Sequence, residues 1–256
     1  MLLLGMVPAT VHGALTFDDA ALPGTLPPEQ YGDVYMDRSS PGKGMAPVIF
    51  SHWSHRGRYT CKVCHTELEF AMQANMTGII CDSVYVRGKY CGACHNGKTA
   101  FGPRDAKGKN CELCHNGYRG PDRDKFYELQ SRLPSSDYGN KIDWARAMRD
   151  RLIRPRSDSL YGGPRQKTVG IDRTIVLGER SGKPTAAVFP HKFHQDIIDC
   201  TTCHSDLLKY SGKPRVNLSK ESMLKGQSCG LCHLRVAFPL DDCDRCHPAS
   251  RATGQH

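Results

Sequence analysis

Cys61, Cys64 and His65 stand as C-x-x-C-H, a spacing with a defined chemistry. Two thiols three residues apart can each form a thioether to one porphyrin, and the histidine that follows reaches the iron from one face. This is the signature of covalent c-type haem attachment. Just upstream, His52 and His55 are three residues apart, so one helical turn projects both the same way.

The motif occurs six times. The copies are Cys61-Cys64-His65, Cys91-Cys94-His95, Cys111-Cys114-His115, Cys200-Cys203-His204, Cys229-Cys232-His233 and Cys243-Cys246-His247. They use twelve of the thirteen cysteines and leave Cys81 over. The histidine after every second cysteine is the specific part of the signal. Zinc ribbons pair C-x-x-C units without it, and a disulfide framework does not require it. The cofactor expected is six covalently bound haem c.

These motifs sit in a duplicated frame. His52 lies nine residues before Cys61 and His55 six before it; His191 lies nine before Cys200 and His194 six before it. Phe50 and Phe189 each precede the first histidine by two residues. Gly88-Lys-Tyr-Cys91-Gly-Ala-Cys-His95 matches Gly226-Gln-Ser-Cys229-Gly-Leu-Cys-His233, and an Ala-Phe pair follows each. The regularity is an internal duplication with three haem motifs per half.

The chain therefore resembles the cytochrome c7 (c3-like) class of multihaem cytochromes, as two tandem triheme units. FSHWSH with CKVCH, CGACHNGKTAF and CELCH carry the resemblance in the first half. FPHKFH with CTTCH, CGLCHLRVAF and CDRCH carry it in the second. It covers roughly Val48–Gly120 and Pro184–Ser250. The resemblance implies that His65, His95, His115, His204, His233 and His247 bind iron proximally. It pairs His52 with the haem of His65, His55 with that of His95, His191 with that of His204, and His194 with that of His233. The third haem of each half normally takes a histidine shortly before the second motif. Here the second half has Met223, expected as distal ligand to the haem of His247 because methionine is an axial haem ligand; its alternative role is core filling. In the first half the residue six before Cys91 is Tyr85, which does not match Met223. Met72, Met76 and Cys81 remain alternatives for the haem of His115, with an open or otherwise ligated iron as the fourth. His12 and His256 also lie outside the motifs, one in a leader-like segment and one at the chain end.

Only 39% of the 256 residues are hydrophobic, against 25 Gly and 16 Pro. That is thin for two ordinary cores, so the flat apolar rings are expected to serve as core material. The formal charge is +9. Six haems, each with about −2 from propionates and roughly +1 from a ferric porphyrin, bring it to about +3 oxidised and about −3 reduced. The basicity is thus mostly compensation for propionates, and no nucleic-acid motif is present.

The elements that position the motifs are expected to be short: a mostly irregular fold with short α-helices and few short strands, organised by haem. Residues 1–13 read as a signal peptide, with an apolar run from Leu2 to Val11 and a small-residue site before Ala14. No Lys or Arg precedes the run, which points to a translation start further upstream. The run is too short to span a bilayer. Residues 14–47 are Pro/Gly-rich and loop-like. Residues 48–120 and 184–250 form the triheme units, 121–183 a linker, and 251–256 a tail. Asn96-Gly97 and Asn116-Gly117 predict tight turns with positive φ. Within the linker, Ile142, Ala145, Met148, Arg149 and Leu152 predict a helix over 140–153. Its arginines, Arg146 to Arg156, form either a solvated face or a dock for acidic groups. Thr174–Leu177 reads as one short strand.

The function expected is electron transfer outside the cytoplasmic membrane, in the periplasm or the cell exterior. The partners would be other cytochromes or a membrane respiratory complex, without nucleic acid. Two other readings stand beside it: an oxidoreductase acting on a small nitrogen or sulfur species at an open or Cys/Met-ligated haem, and a filament with haems in series.

Overall fold

The computed structural model describes residues 26–85, 87–105, 108–117, 122–162, 170–177, 186–204 and 218–248. In order its elements are β1 (Asp33–Met36), β2 (Val48–Ser51), α1 (His52–Arg56), α2 (Cys81–Tyr85), β3 (Arg104–Asp105), β4 (Gly108–Lys109), α3 (Cys111–Cys114), α4 (Arg123–Gln130) and α5 (Trp144–Arg149). They continue as β5 (Thr174–Leu177), β6 (Ala187–Pro190), α6 (His191–Ile197), α7 (Cys200–His204), α8 (Lys220–Leu224), α9 (Gly230–His233) and α10 (Cys243–Cys246). This is the irregular, short-helix architecture that the haem motifs predicted. Leu2–Val11, the tail, His12 and His256 lie outside the described residues.

Each half opens on the same device. β1 pairs antiparallel with β2, with Asp33 opposite Ser51 and Val34 opposite Phe50. β5 pairs antiparallel with β6, with Thr174 opposite Pro190 and Ile175 opposite Phe189. β-branched and aromatic residues suit such pleated pairs. In both halves the second strand runs directly into the helix that carries the two upstream histidines, α1 or α6. Thr174–Leu177 is the strand expected there. β1 is a correction: it lies in the segment expected to be loop.

The segment between the halves holds two helices rather than one. Asp122 caps α4 by accepting from Lys125 N, and Asp143 caps α5 by accepting from Arg146 N at 2.9 Å. α5 is shorter than the expected 140–153. Ile142 is held in a bridge with Ser135 before it starts. After Arg149, Arg151 turns left-handed (φ 58°), with Leu152 N bonded to Ala147 O and Arg151 N to Met148 O. That is a Schellman stop with a non-glycine residue at the turn.

These helices build the apolar core that the composition permits. Trp53 of α1, Phe126 of α4, Ile142 and Trp144 are buried together, with Leu129, Leu133 and Ile153 packed around them. Trp53 meets Phe126 edge to face at 5.3 Å, and its Nε1 donates to Glu29 O at 3.0 Å. The segment read as a linker thus braces the helix bearing His52 and His55.

Contacts also join the halves. Tyr31 donates to Ala237 O at 2.8 Å, Arg56 Nη1 to Val236 O at 2.8 Å, and Lys62 Nζ to Gln195 O. Arg245 bridges Asp242 and Asp143. Of the two Asn-Gly turns, Gly97 adopts the expected positive φ (81°) and Gly117 does not. Asn116 instead clamps the edge of β2, accepting from Ile49 N at 2.8 Å and donating to Ile49 O at 3.3 Å. Gly117 is needed for close approach to Pro47, where a Cβ would come within 2.7 Å.

Candidate haem-binding sites

Two imidazoles on opposite faces of one metal ion have a predictable spacing. Each nitrogen lies about 2 Å from the metal and roughly 1.1 Å from its own ring centroid, so the centroids stand about 6.3 Å apart. Four pairs meet this. His52 and His65 are 6.5 Å apart, His55 and His95 6.2 Å, His191 and His204 6.4 Å, and His194 and His233 6.3 Å. The duplication holds in the ring planes too. The first pairs are near parallel, at 8° and 1°; the second pairs are tilted, at 55° and 54°. The structure thus brings together each histidine pair that the resemblance implied.

Local structure aims these rings. His52 and His55 share one face of α1 at i, i+3, and His191 and His194 do the same on α6. Phe50 packs against both rings at 4.9 and 4.5 Å, and Phe189 packs at 4.8 and 4.4 Å. That explains why a phenylalanine recurs two residues before each pair. The far nitrogen is tied to backbone. Nδ1 donates to Gly32 O from His52 (2.6 Å), Phe70 O from His65 (2.9 Å), Phe101 O from His95 (3.1 Å), Phe238 O from His233 (2.9 Å) and Ala46 O from His115 (2.7 Å). A carbonyl on Nδ1 fixes the tautomer and leaves Nε2 with a lone pair for a metal. These carbonyl acceptors were not foreseen from the sequence, although the repeated Ala-Phe pairs after the second motifs marked two of them.

Burial favours the neutral form of five of the rings. It lowers His52 to about 4, against the opposing hydrogen bond to Gly32, and lowers His233 to about 4 as well. His55, His65 and His194 are also lowered by burial. Ligation needs the neutral imidazole. Burial likewise pushes the Cys64 and Cys232 thiols up to about 12 and Cys91 up to about 11. No disulfide joins any of the thirteen cysteines. Among the described residues no group of three or more His, Cys, Asp or Glu converges as a metal-ion cage. The thiols and imidazoles are arranged around a space instead.

That space is one continuous, mostly apolar cavity of about 3450 Å³ running through both halves. Its walls include His52, His55, His65, His95, His115, His194, His233 and His247. Single-ligand pockets are about 300–1,000 Å³, so this one is several ligands wide. The residues fit covalently held haems: paired thiols on one wall, a lone-pair nitrogen on each side, and apolar surface between.

The third sites differ between halves. Ser83 and Ser222 are equivalent, since Lys89 N bonds Ser83 O and Gln227 N bonds Ser222 O. Glycines 92 and 230 press against the next residue, Val84 or Met223, so closely that a Cβ would meet its carbonyl at 2.1 or 1.8 Å. Val84, not Tyr85, is therefore the counterpart of Met223. Counting back from the cysteine misses this because the turn after α2 is one residue longer than that after α8. Met223 lines the cavity; so do Met72 and Cys81. Met76 is 63% exposed and is not part of the lining. Cys81 is near enough to Cys114 for its charge to raise the Cys114 thiol, after burial.

A small fold of short helices around covalent C-x-x-C-H sites defines a multihaem c-type cytochrome. The chain belongs to the family of cytochrome c7 and related cytochromes c, whose model matches residues 48–116 and 187–248. No curated protein matches the chain. Among solved structures it is similar to the C-terminal hexaheme fragment of GSU1996, at 28% identity over 84% of this chain and 96% of that one, with a TM-score of 0.27. A c7-type three-heme cytochrome domain is 39% identical over 33% of this chain and 91% of that one, with a TM-score of 0.28. The N-terminal hexaheme fragment of GSU1996 is 25% identical over 84% and 98%, with a TM-score of 0.25. Electron transfer through covalently bound c-type haem is the function that this membership carries.

Proposed function

We propose that this is a hexahaem electron relay working outside the cytoplasmic membrane, built as two triheme units. The observation that carries it is the set of four imidazole pairs at one-metal spacing, three of them on the walls of a single cavity. Cys61 and Cys64, Cys91 and Cys94, Cys111 and Cys114, Cys200 and Cys203, Cys229 and Cys232, and Cys243 and Cys246 would hold the rings by thioethers. The motif histidines would bind iron from one side; His52, His55, His191, His194 and Met223 would bind it from the other. Bound haem supplies one-electron chemistry, ferric to ferrous and back. At the four sites with paired histidines, the two rings would hold the iron from both sides and leave no place for a substrate, which suits carriers. The apolar walls exclude water and hold neighbouring sites close. Redox partner proteins outside the membrane fit this reading, since c-type haem cytochromes of this kind are typically exported. Among the described residues no helix is long and apolar enough to cross a membrane.

A second reading rests on Val84. At the His115 site the counterpart of Met223 has no ligating atom, which leaves Cys81 or Met72 from the cavity wall, or an iron open to a small nitrogen or sulfur species.

Intact mass of the purified protein and low-temperature EPR of its ferric form test both. Six covalent haems with low-spin signals, unmoved by nitrite or hydroxylamine, support the relay. A high-spin signal that shifts on addition supports the oxidoreductase reading.

A further inference from the structure

The duplication fails at one position beside the ligands. α1 carries His52, His55 and then Arg56; α6 carries His191, His194 and then Gln195. One half has a guanidinium where the other has a neutral amide. Gln195 turns back into its own half, accepting from Ile171 N at 2.9 Å. Arg56 crosses to the other half. Its Nη1 donates to Val236 O at 2.8 Å, and its Cζ lies 4.5 Å from the Trp144 ring centroid. Val236 is three residues past His233, and its N–H bonds back to Cys232 O at 3.0 Å. The guanidinium thus sits at the second motif of the second half, while its own helix keeps it beside His52. Its charge is felt at Cys61, His52 and His233. Among the described residues none of the ion pairs includes it.

A half-buried positive charge without a protein carboxylate partner among the described residues is weakly screened. It favours any neighbouring centre that gains an electron. We infer that Arg56 is a tuning residue of the relay: it makes the sites of His52/His65 and His194/His233 easier to reduce than their repeat counterparts, His191/His204 and His55/His95. The counterparts are a built-in control, because spacing and ring tilt are the same within each comparison. Arg58 also acts on His55 but is exposed, so solvent screens it. Lys62 reaches α6 only at the Gln195 carbonyl. Among the four bis-histidine sites, the lowest resting place for an electron is then the seam between the halves.

The inference rests on the six-haem reading. The test follows oxidation haem by haem, by NMR during a redox titration of the loaded protein. In the wild type the two seam haems should be oxidised after their counterparts. Arg56→Gln, which imports the second half's own residue, should move both to earlier oxidation and leave the other four in place. Arg56→Lys should keep the wild-type order. Seam haems oxidised with or before their counterparts would overturn the inference. So would an unchanged order in R56Q, or an R56K shift as large as that of R56Q, which would assign the effect to packing on Trp144. If R56Q does not mature with six haems, the wild-type order and R56K decide. Mass and EPR keep the two failures apart: fewer than six haems, or irons without paired histidines, would fail the relay reading itself.

Discussion

Val84 and Met223 occupy the same place in the two halves, one turn before the second haem motif and pressed against its glycine. Everything around them is repeated: the buried serine before, the glycine turn after, and the helix they end in. Apart from the one added residue in the turn after Val84, it is the side chain that differs, and it differs in whether it can bind iron. The two third sites should therefore behave differently although their scaffolds match.

Met223→Ala should expose the iron of His247. The expected outcome is a new high-spin EPR signal, binding of cyanide by one further haem, and a lower potential for that haem, since a methionine ligand raises it. Wild-type spectra and cyanide binding in the variant would show that Met223 only fills space.

Val84→Met is the reciprocal change and asks whether the first half can accept the second half's ligand. Any high-spin or ligand-sensitive signal from the His115 site should disappear, and its potential should rise. Cys81→Ala and Met72→Ala, measured beside it, identify the native cap. The residue whose loss alters the His115 spectrum is the ligand. If neither variant alters it and the signal is high-spin and shifts with nitrite, that iron is open.

The covalent motifs and upstream histidines were legible because each is local: cysteine, cysteine and histidine lie within five residues, and two histidines lie on one helical turn. The Val84 register was not legible, because an added residue in a turn changes nothing in composition or motif. β1 was hidden for a related reason. It is four residues of ordinary strand character inside a Pro/Gly-rich stretch, and its partner comes only after a 3-10 turn at Pro41–Lys43. α4 left a signal that could have been used: a capping Asp122, with Phe126, Leu129 and Leu133 at helical spacing. The seam was beyond reach, since Arg56 and Val236 are 180 residues apart and only packing brings them together.

Phe126→Ala should destabilise the loaded protein by about 3–5 kcal/mol, the usual cost of removing a fully buried aromatic ring. The ring braces Trp53 on α1, so the loss should also loosen His52 and His55. Thermal unfolding followed at the haem bands should show a lower Tm, with the first-half sites released first. An unchanged Tm would mean that haem packing alone holds α1.

Asp33 carries a pH dependence of the opposite sense to an ordinary acid-labile carboxylate. It stands opposite Ser51 at the end of the first hairpin, where burial raises its carboxyl to about 7, against the pull of the Ser51 hydroxyl and with help from Glu29. The unfolded chain releases this proton near the ordinary value of about 3.9. Between the two values the native state holds the proton and the unfolded state does not, so stability falls as pH rises through that window. Asp33→Asn keeps the shape and removes the ionisation. It should therefore raise Tm at pH 8 and change it little at pH 4. An equal change at both pH values would place the effect in packing rather than in the proton. A lower Tm at pH 8 would show that the carboxylate is matched there by a positive group. The second half supplies the comparison, because its residue at this place is Thr174, which does not titrate.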